Sequence, residues 1–193
     1  MTVVTSFYTM DNKEGVDLNN VLTSINVSTD PSVPAPPAKL GDMVLGNNGS
    51  QWIFVQASAT VTCYNVVAID TNFQARVAST AIMASGIYTF GIAELVPDLV
   101  NAVVSIGNAS GGVVNPSDYF WAAMKISGGG QVNCITTAAA GAKLFISTIP
   151  GVLTSTASTW YFPGIAVITA MTTTTVVTPS EFVQSSFLVA TSL

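Results

Sequence analysis

The residues best placed to do chemistry are three carboxylates at short spacing in the stretch DNKEGVD. Asp11, Glu14 and Asp17 lie within seven residues of one another. Close carboxylates can divide the general acid and general base roles, and a larger set can bind Ca²⁺. The spacing fails as a calcium loop, because its glycine falls at the fifth position and Leu22 occupies the twelfth. We therefore predict a solvated polar segment without a catalytic or metal-binding role.

Other catalytic patterns are equally scarce in the sequence. The chain has no histidine, which is the usual acid–base group near neutral pH. It has no phosphate-binding glycine loop, no serine nucleophile elbow and no Cys/His cluster with zinc-binding spacing. A Ser–Lys pair stays open on sequence alone, although nothing points to one. We expect a protein that is not an enzyme and that needs no cofactor and no metal.

The two cysteines, Cys63 and Cys134, stand alone in the sequence, and neither forms a Cys-x-x-Cys pair. We interpret them as buried thiols that act as small apolar residues, and a disulfide between them is the alternative. The first residues lack the basic start and apolar core of a signal peptide, so we do not expect one.

The composition is poor in charge. Only 8% of the residues are charged, against about 25% in an average soluble domain. The net charge is −5, and the five basic residues are scattered singly. Nucleic-acid and membrane-surface binding both need a basic face, so we exclude both kinds of partner. A surface with so little charge favours association with other protein chains.

The elements that would position any site fall into two parts. Residues 1–38 read as an N-terminal arm and connector, since prolines at 31, 34, 36 and 37 favour an extended chain. Within it, VDLNNVLTSI could form a short helix capped by Asp17. We expect this arm to lie on a neighbouring subunit and not on its own body.

Residues 39–193 read as a β-rich body. Short runs rich in Val, Ile, Thr and aromatic residues alternate with Gly, Asn, Ser and Pro, as in WIFVQAS, YFWAAMKI and QVNCITT. We predict an all-β fold, either a β-sandwich or a β-barrel, with helix below about 10%. The best helix candidate in the body is PDLVNAVV at 97–104. The GGG at 128–130 is interpreted as a hairpin turn.

One pattern occurs twice in the body. YTFGIA at 88–93 returns as YFPGIA at 161–166, and the stretch 66–80 aligns with 143–157 at an offset of 77. We predict two similar β-units, at about 60–96 and 136–170. The glycine of each copy is expected to permit a bulge or the close approach of another backbone.

Several of these stretches carry a resemblance. Five stretches, taken in order over residues 36–170, resemble the small proteins that decorate or cement the capsids of tailed bacteriophages. They are PPAKLGDMVLGNNGSQWIFVQAS, GIAE, YFWAAMKISGGG, GAKLFISTIPG and FPGIAV. FPGIAV departs from the Gly-Val-Ala strand usual in that family, and the chain from Thr172 onward has no counterpart. The resemblance implies a barrel or sandwich on the outside of a virion, bound to the major capsid protein. It also implies a homotrimer, made in the host cytoplasm.

Strand patterning and the predicted arm suggest which residues would form the contacts. The predicted interface residues are Phe7, Tyr8, Leu18, Val21, Leu22, Trp52, Phe54, Phe120 and Trp121. A phage tail or fibre component, or an adhesin-like β-module, is the alternative interpretation. A cell-wall hydrolase is a third, and the absence of histidine and of a carboxylate pair in the body disfavours it.

Overall fold

The computed structural model describes residues 18, 21–22, 38–46, 49–86, 88–94, 113–126, 130–135, 137–167, 170, 178–184 and 191–192. In chain order the elements are β1 (Val21–Leu22), β2 (Met43–Leu45), β3 (Gln51–Ala57), β4 (Val61–Thr62), β5 (Val66–Ile69), β6 (Gln74–Val77), α1 (Thr80–Ser85), β7 (Thr89–Ile92), β8 (Val113–Val114), β9 (Tyr119–Lys125), β10 (Gly130–Ile135), β11 (Lys143–Ile146), β12 (Leu153–Thr154), β13 (Trp160–Val167), β14 (Thr178–Gln184) and β15 (Thr191–Ser192). The predicted all-β fold is confirmed.

Five strands of the first half close into a barrel. Going round the ring, β3 pairs with β6, β6 with β5, β5 with β7, β7 with β9, and β9 again with β3. The β3–β6 pairing is parallel and the other four are antiparallel. The longest contact joins β3 to β9 over Gln51–Gln56, so these two strands form the main wall of the barrel.

Five strands of the second half close in the same order. β10 pairs in parallel with β12, and the ring then continues through β11, β13 and β14 back to β10 in antiparallel pairings. In each ring the first and third strands along the chain form the parallel pair. The strands of the two predicted β-units therefore take corresponding places in the two barrels.

The alignment of the two units needs a correction after their first turn. Ile69 pairs with Ala75 in the first barrel, whereas Ile146 pairs with Leu153 in the second. Leu153 is thus the counterpart of Ala75, and not Val152 as the ungapped alignment implied. The physical reason is that six residues lie between the paired Ile146 and Leu153, whereas five lie between the paired Ile69 and Ala75.

The glycine of the repeated motif has a different use in each copy. A Cβ at Gly91 would lie 3.1 Å from the Ala122 Cβ and 3.2 Å from the Ala123 oxygen, so β9 packs closely there. In the second copy the β11–β13 pairing shifts register between Lys143 and Leu144, opposite the stretch that contains Pro163 and Gly164. The expected close approach and the expected bulge both occur, one in each barrel.

Alternation along the strands builds two hydrophobic clusters. On β3, Ile53 and Val55 face one cluster and Trp52 and Phe54 face the other, as the two-residue period of a strand requires. The first cluster fills the first barrel; its members include Ile53, Val55, Ala57, Val67, Ile69, Ala75, Phe120 and Ala122. The second joins the outer face of the first barrel to side chains of the second barrel, such as Val132, Leu144, Leu153, Phe162 and Val167.

The described part of the N-terminal segment packs on its own body. Leu18 is fully buried in the cluster that the two barrels share. β1 pairs with β9, with Val21 opposite Phe120 and Leu22 opposite Tyr119. For these residues the prediction of an arm on a neighbouring subunit is wrong, and so is the predicted helix, because pairing with β9 holds Val21 and Leu22 extended. Residues 1–17, 19–20 and 23–37 lie outside the described residues.

Two further local predictions are corrected by the structure. α1 was missed, although Ser79 is a regular N-cap whose side chain accepts a hydrogen bond from the Ile82 amide at 3.3 Å. The GGG at 128–130 is not the turn of a β9–β10 hairpin, because β9 belongs to the first barrel and β10 to the second. The candidate helix at 97–104 lies outside the described residues.

Candidate interaction surface

The outer face of the β3–β9 wall carries an aromatic cluster. The Phe54 ring stacks on Tyr119, with centroids 5.8 Å apart and planes 9° from parallel, and it also lies 5.0 Å from the Trp121 ring. The Trp52 indole N–H donates to the Ser50 hydroxyl at 2.6 Å. These aromatic residues belong to the larger cluster that the two barrels share, which includes Leu18 and against which Ala38, Leu40 and Val44 pack.

The predicted interface residues on β3 and β9 are core residues of the single chain. Trp52, Phe54 and Trp121 belong to the cluster that the two barrels share, and Phe120 points into the first barrel. All four are at most 2% exposed, so the folded chain does not present them to another subunit. Leu18 is likewise buried.

The remaining predicted interface residues belong to the N-terminal segment. Val21 and Leu22 form β1, and Phe7 and Tyr8 lie outside the described residues. The structure thus brings Leu18 to the same hydrophobic cluster as Trp52, Phe54 and Trp121, but in the interior and not on a surface.

Among the described residues, two of the exposed large apolar side chains lie close together on β2. Met43 is 55% exposed and Leu45 is 52% exposed, while Val44 between them packs against the shared core. Leu45 precedes a turn in which the Gly46 amide donates to the Ser50 oxygen at 2.8 Å. We call Met43 and Leu45, together with the outer backbone edge of β2, the β2 edge.

The backbone of the β2 edge faces away from its sheet. The Phe54 amide donates to the Asp42 oxygen at 2.9 Å, and the Gly46 amide donates to Ser50, so Asp42 and Gly46 face β3. In an antiparallel pair successive residues alternate, which directs the amides and carbonyls of Met43 and Leu45 outward. Among the described strands, β2 is the last of its sheet. An unpaired edge with apolar side chains is a template for an incoming strand.

The turn that begins β2 fixes the position of this edge. Gly41 has a φ of +87°, and a Cβ at this position would overlap the Phe73 ring, so only glycine fits. The Lys39 amide donates to the Asp42 carboxylate at 2.8 Å and closes the turn. The β2 edge is therefore held by the barrel and is not a loose loop.

A second notable group of side chains lies between the two barrels. Glu94 follows β7 and is 5% exposed, and its carboxyl oxygen accepts a hydrogen bond from the Gln131 amide of β10 at 2.6 Å. Burial raises the pKa of Glu94 from 4.5 to about 8, although the bond from Gln131 lowers it. Burial also raises the pKa of the Tyr64 phenol, and the neighbouring Cys63 thiol contributes. Cys63 and Cys134 do not form a disulfide with each other; Cys134 is buried and Cys63 is partly buried.

Sequence reasoning missed both features. Met43 and Leu45 sit in a run of apolar residues, and in a short strand the sequence does not tell the buried position from the exposed ones. The signal that could have found them is the pair of flanking turn-type sequences, GD at 41–42 and NNG at 47–49, which indicates a strand too short to be central. Glu94 could have been found by comparing GIAE with GIAV, its second copy.

The described residues contain no group of three or more His, Cys, Asp and Glu side chains that could hold a metal ion. In the part of the chain that the structure describes, no helix is long and apolar enough to cross a membrane. No family model, curated protein or solved structure matches the chain.

Proposed function

We propose that this protein is a non-catalytic structural component of a bacteriophage virion, which binds the outside of the capsid and bridges neighbouring copies of the major capsid protein. The observation that carries the proposal is the β2 edge, where two exposed apolar side chains and outward backbone groups lie side by side. An extended segment of the partner would add to this edge as a strand, with hydrogen bonds giving affinity and side-chain contacts giving specificity.

The composition supports a role in which the protein is covered by partners. With 8% charged residues, attraction at long range is weak, and binding relies on burial of apolar area at about 25 cal/mol per Å². A single short strand contributes little area, but a shell offers many equivalent sites, so modest contacts add up when one molecule bridges several subunits. The resemblance of residues 36–170 to capsid decoration proteins points the same way.

The proposal predicts that the purified protein stabilises shells that lack it. A ligand that binds only the assembled state stabilises each site by about 2.7 kcal/mol at a free concentration of 100 times Kd. We expect the temperature at which the shells disrupt, followed by light scattering, to rise with added protein and then to saturate. Shells whose disruption temperature does not change at any protein concentration would contradict the proposal.

We further propose that the protein is a homotrimer, because closed cyclic symmetry is the usual way to bury apolar surface and the resemblance implies three copies. Light scattering of the isolated protein is expected to give about 60 kDa, three times the chain mass of 19.9 kDa. Few ion pairs are available to be screened, so the mass should be the same at low and high salt. A monodisperse species of about 20 kDa at both salt concentrations would rule out the trimer.

A further inference from the structure

We propose that Phe73 is a positioning residue for the β2 edge, whose ring seats Gly41 and thereby fixes where Met43 and Leu45 are presented to a partner strand. The inference deepens the proposed function, and its shell-binding part rests on that function. It is supported by the backbone conformation of Phe73, by the contact of its ring and by a comparison with the second barrel.

Phe73 has a backbone conformation that its side chain disfavours. It lies in the turn between β5 and β6 with a φ of +59°, in the left-handed region. A bulky residue is an outlier there, and such strain persists only where the surrounding structure compensates for it. The ring of Phe73 is therefore expected to make a contact that offsets the strain.

The corresponding turn of the second barrel is built without an aromatic residue. One hydrogen bond closes both turns, from the amide of the first residue to the oxygen of the residue after the turn: Asp70 to Gln74 at 3.1 Å, and Ser147 to Val152 at 3.0 Å. Phe73 and Gly151 each come just before the accepting residue, and Gly151 also has a positive φ, +75°. The backbone of the turn thus accepts glycine and does not require phenylalanine.

The ring of Phe73 lies between the first barrel and the backbone of Gly41. On one side Phe73 packs against the hydrophobic cluster that fills the first barrel. On the other side, outer ring carbons lie within 2.7 Å of the position that a Cβ would take on Gly41, so the ring and this backbone are in direct contact. The ring therefore supports Gly41 from the barrel side.

Gly41 is placed to control the start of β2. Its amide donates to the Phe54 oxygen at 2.9 Å, and the Phe54 amide donates to the Asp42 oxygen at 2.9 Å. β2 has only three residues, so a displacement at Gly41 would also move its outward backbone groups. An added strand needs these groups at the spacing and direction of its own amides and carbonyls. The seat of Gly41 thus sets the geometry in which a partner strand is accepted.

The second barrel has a different neighbour at the same place. There the edge of β10 meets the first barrel, because the Gln131 amide donates to the Glu94 carboxyl at 2.6 Å. Gly151 faces this neighbour too, since a Cβ on it would lie within 2.9 Å of three atoms of the Asn65 side chain. At this position of the turn each barrel contacts the element beside it, and in the first barrel that element is the start of β2.

Hydrogen exchange of the Gly41 and Phe54 amides tests the seat in Phe73→Gly, which copies the turn of the second barrel and removes the ring. We expect the protection of both amides to fall by at least about tenfold, because the pairing of β2 with β3 opens more easily. Protection of the Asp70 and Ser147 amides should not change, because both turns persist. Unchanged protection of Gly41 and Phe54 would overturn the proposal.

Two further variants control this measurement. Ser117 also has a positive φ, +76°, but it is exposed in the turn before β9, so Ser117→Gly should leave the protection of Gly41 and Phe54 as it is. Phe73→Asn also lacks the ring, and asparagine tolerates the left-handed region, so it should behave like Phe73→Gly. Loss of the whole fold in both Phe73 variants would overturn the proposal, because Phe73 would then be a general core residue.

A double-mutant cycle isolates the contact between the ring and Gly41. Gly41→Ala places a Cβ against the ring and also strains the backbone at a φ of +87°. Only the second effect remains in Phe73→Gly, so there we expect Gly41→Ala to lower the protection of the Phe54 amide by a factor at least about tenfold smaller. Equal effects in the two backgrounds would contradict a direct contact and overturn the proposal.

Binding to capsid shells separates this inference from the proposed function. Phe73→Gly keeps Met43 and Leu45, yet we expect it to bind shells at least about tenfold more weakly than Ser117→Gly, because the edge is no longer preorganised. If the natural protein does not bind shells, the proposed function fails, and the exchange of the Gly41 and Phe54 amides still decides whether Phe73 positions β2. Shell binding that is unchanged while this protection is lost would overturn the positioning role.

Discussion

Replacing Phe162 with alanine is expected to lower the free energy of unfolding by about 3–5 kcal/mol and to destabilise both barrels together. Phe162 belongs to the second barrel and is 1% exposed. Its ring packs edge-on against Phe90 of the first barrel, with centroids 5.4 Å apart and planes at 73°. Truncation would therefore leave a cavity in the cluster that the two barrels share, and not in a core that belongs to one of them.

Urea unfolding measured in two ways checks this prediction. In a Trp160→Phe background the tryptophan fluorescence reports on Trp52 and Trp121, which lie in the first barrel, while far-UV circular dichroism reports on both. We expect a single transition by both probes, displaced equally by Phe162→Ala. Tyr161→Ala is the matched control, because Tyr161 lies on the same strand, packs against Phe145 at 5.9 Å and is only partly buried. Its effect should be smaller.

Two independent barrels would give a different outcome. The fluorescence transition of the first barrel would then keep its midpoint in Phe162→Ala, while circular dichroism would show an earlier phase for the second barrel. That result would contradict a shared core. The strand pairings within each barrel would still hold, but the two barrels would then unfold independently and not as one cooperative unit.

The double variant Met43→Asp with Leu45→Asp is expected to weaken binding to the capsid shell by at least about 100-fold, with little change in stability. Both side chains are about half exposed, so a carboxylate there is solvated in the free protein. In a complex that adds a strand to the β2 edge, each carboxylate would be buried without a partner, and a loss of 1.4 kcal/mol for each already gives this factor. Sedimentation of shells with graded amounts of protein measures the change.

Ile149→Asp provides the matched control for the edge variant. Ile149 is also a large apolar residue that is 42% exposed, but it lies in the turn between β11 and β12 of the second barrel. We expect this variant to bind shells like the natural protein. The assignment to the β2 edge would be wrong if Ile149→Asp abolished binding while the double variant retained it.

Local features of the fold could be predicted from the sequence, whereas long-range pairing could not. Alternation of β-branched and aromatic residues located most of the strands, and the repeated Gly-Ile-Ala located Gly91 at a close approach of two strands. The prediction of a hairpin turn from the GGG at 128–130 was wrong, because a turn-type sequence does not indicate whether the two strands that flank it pair with each other. The closing pairings join residues far apart in sequence, such as Gln51 with Lys125, and no local pattern encodes them.

The candidate surface was harder to predict, because burial depends on which face of a sheet is covered. Trp52 and Trp121 are the large aromatic residues expected at an interface, but in the structure they are buried in the cluster that the two barrels share. Met43 and Leu45 have the same apolar character but are exposed, because they lie on the face of β2 opposite to Val44, which packs against the core. Composition indicated that the surface was poor in charge, and only the strand order showed where its apolar part lies.

The measurement that tests the central claim most directly is the distribution of this protein between the shells and the tails of disrupted virions. Particles are broken, the two fractions are separated by sedimentation, and the protein in each is quantified against the major capsid protein. Our account predicts that it sediments with the shells, in a fixed ratio to the major capsid protein. Recovery with the tails, or with neither fraction, would contradict a role as a capsid decoration protein.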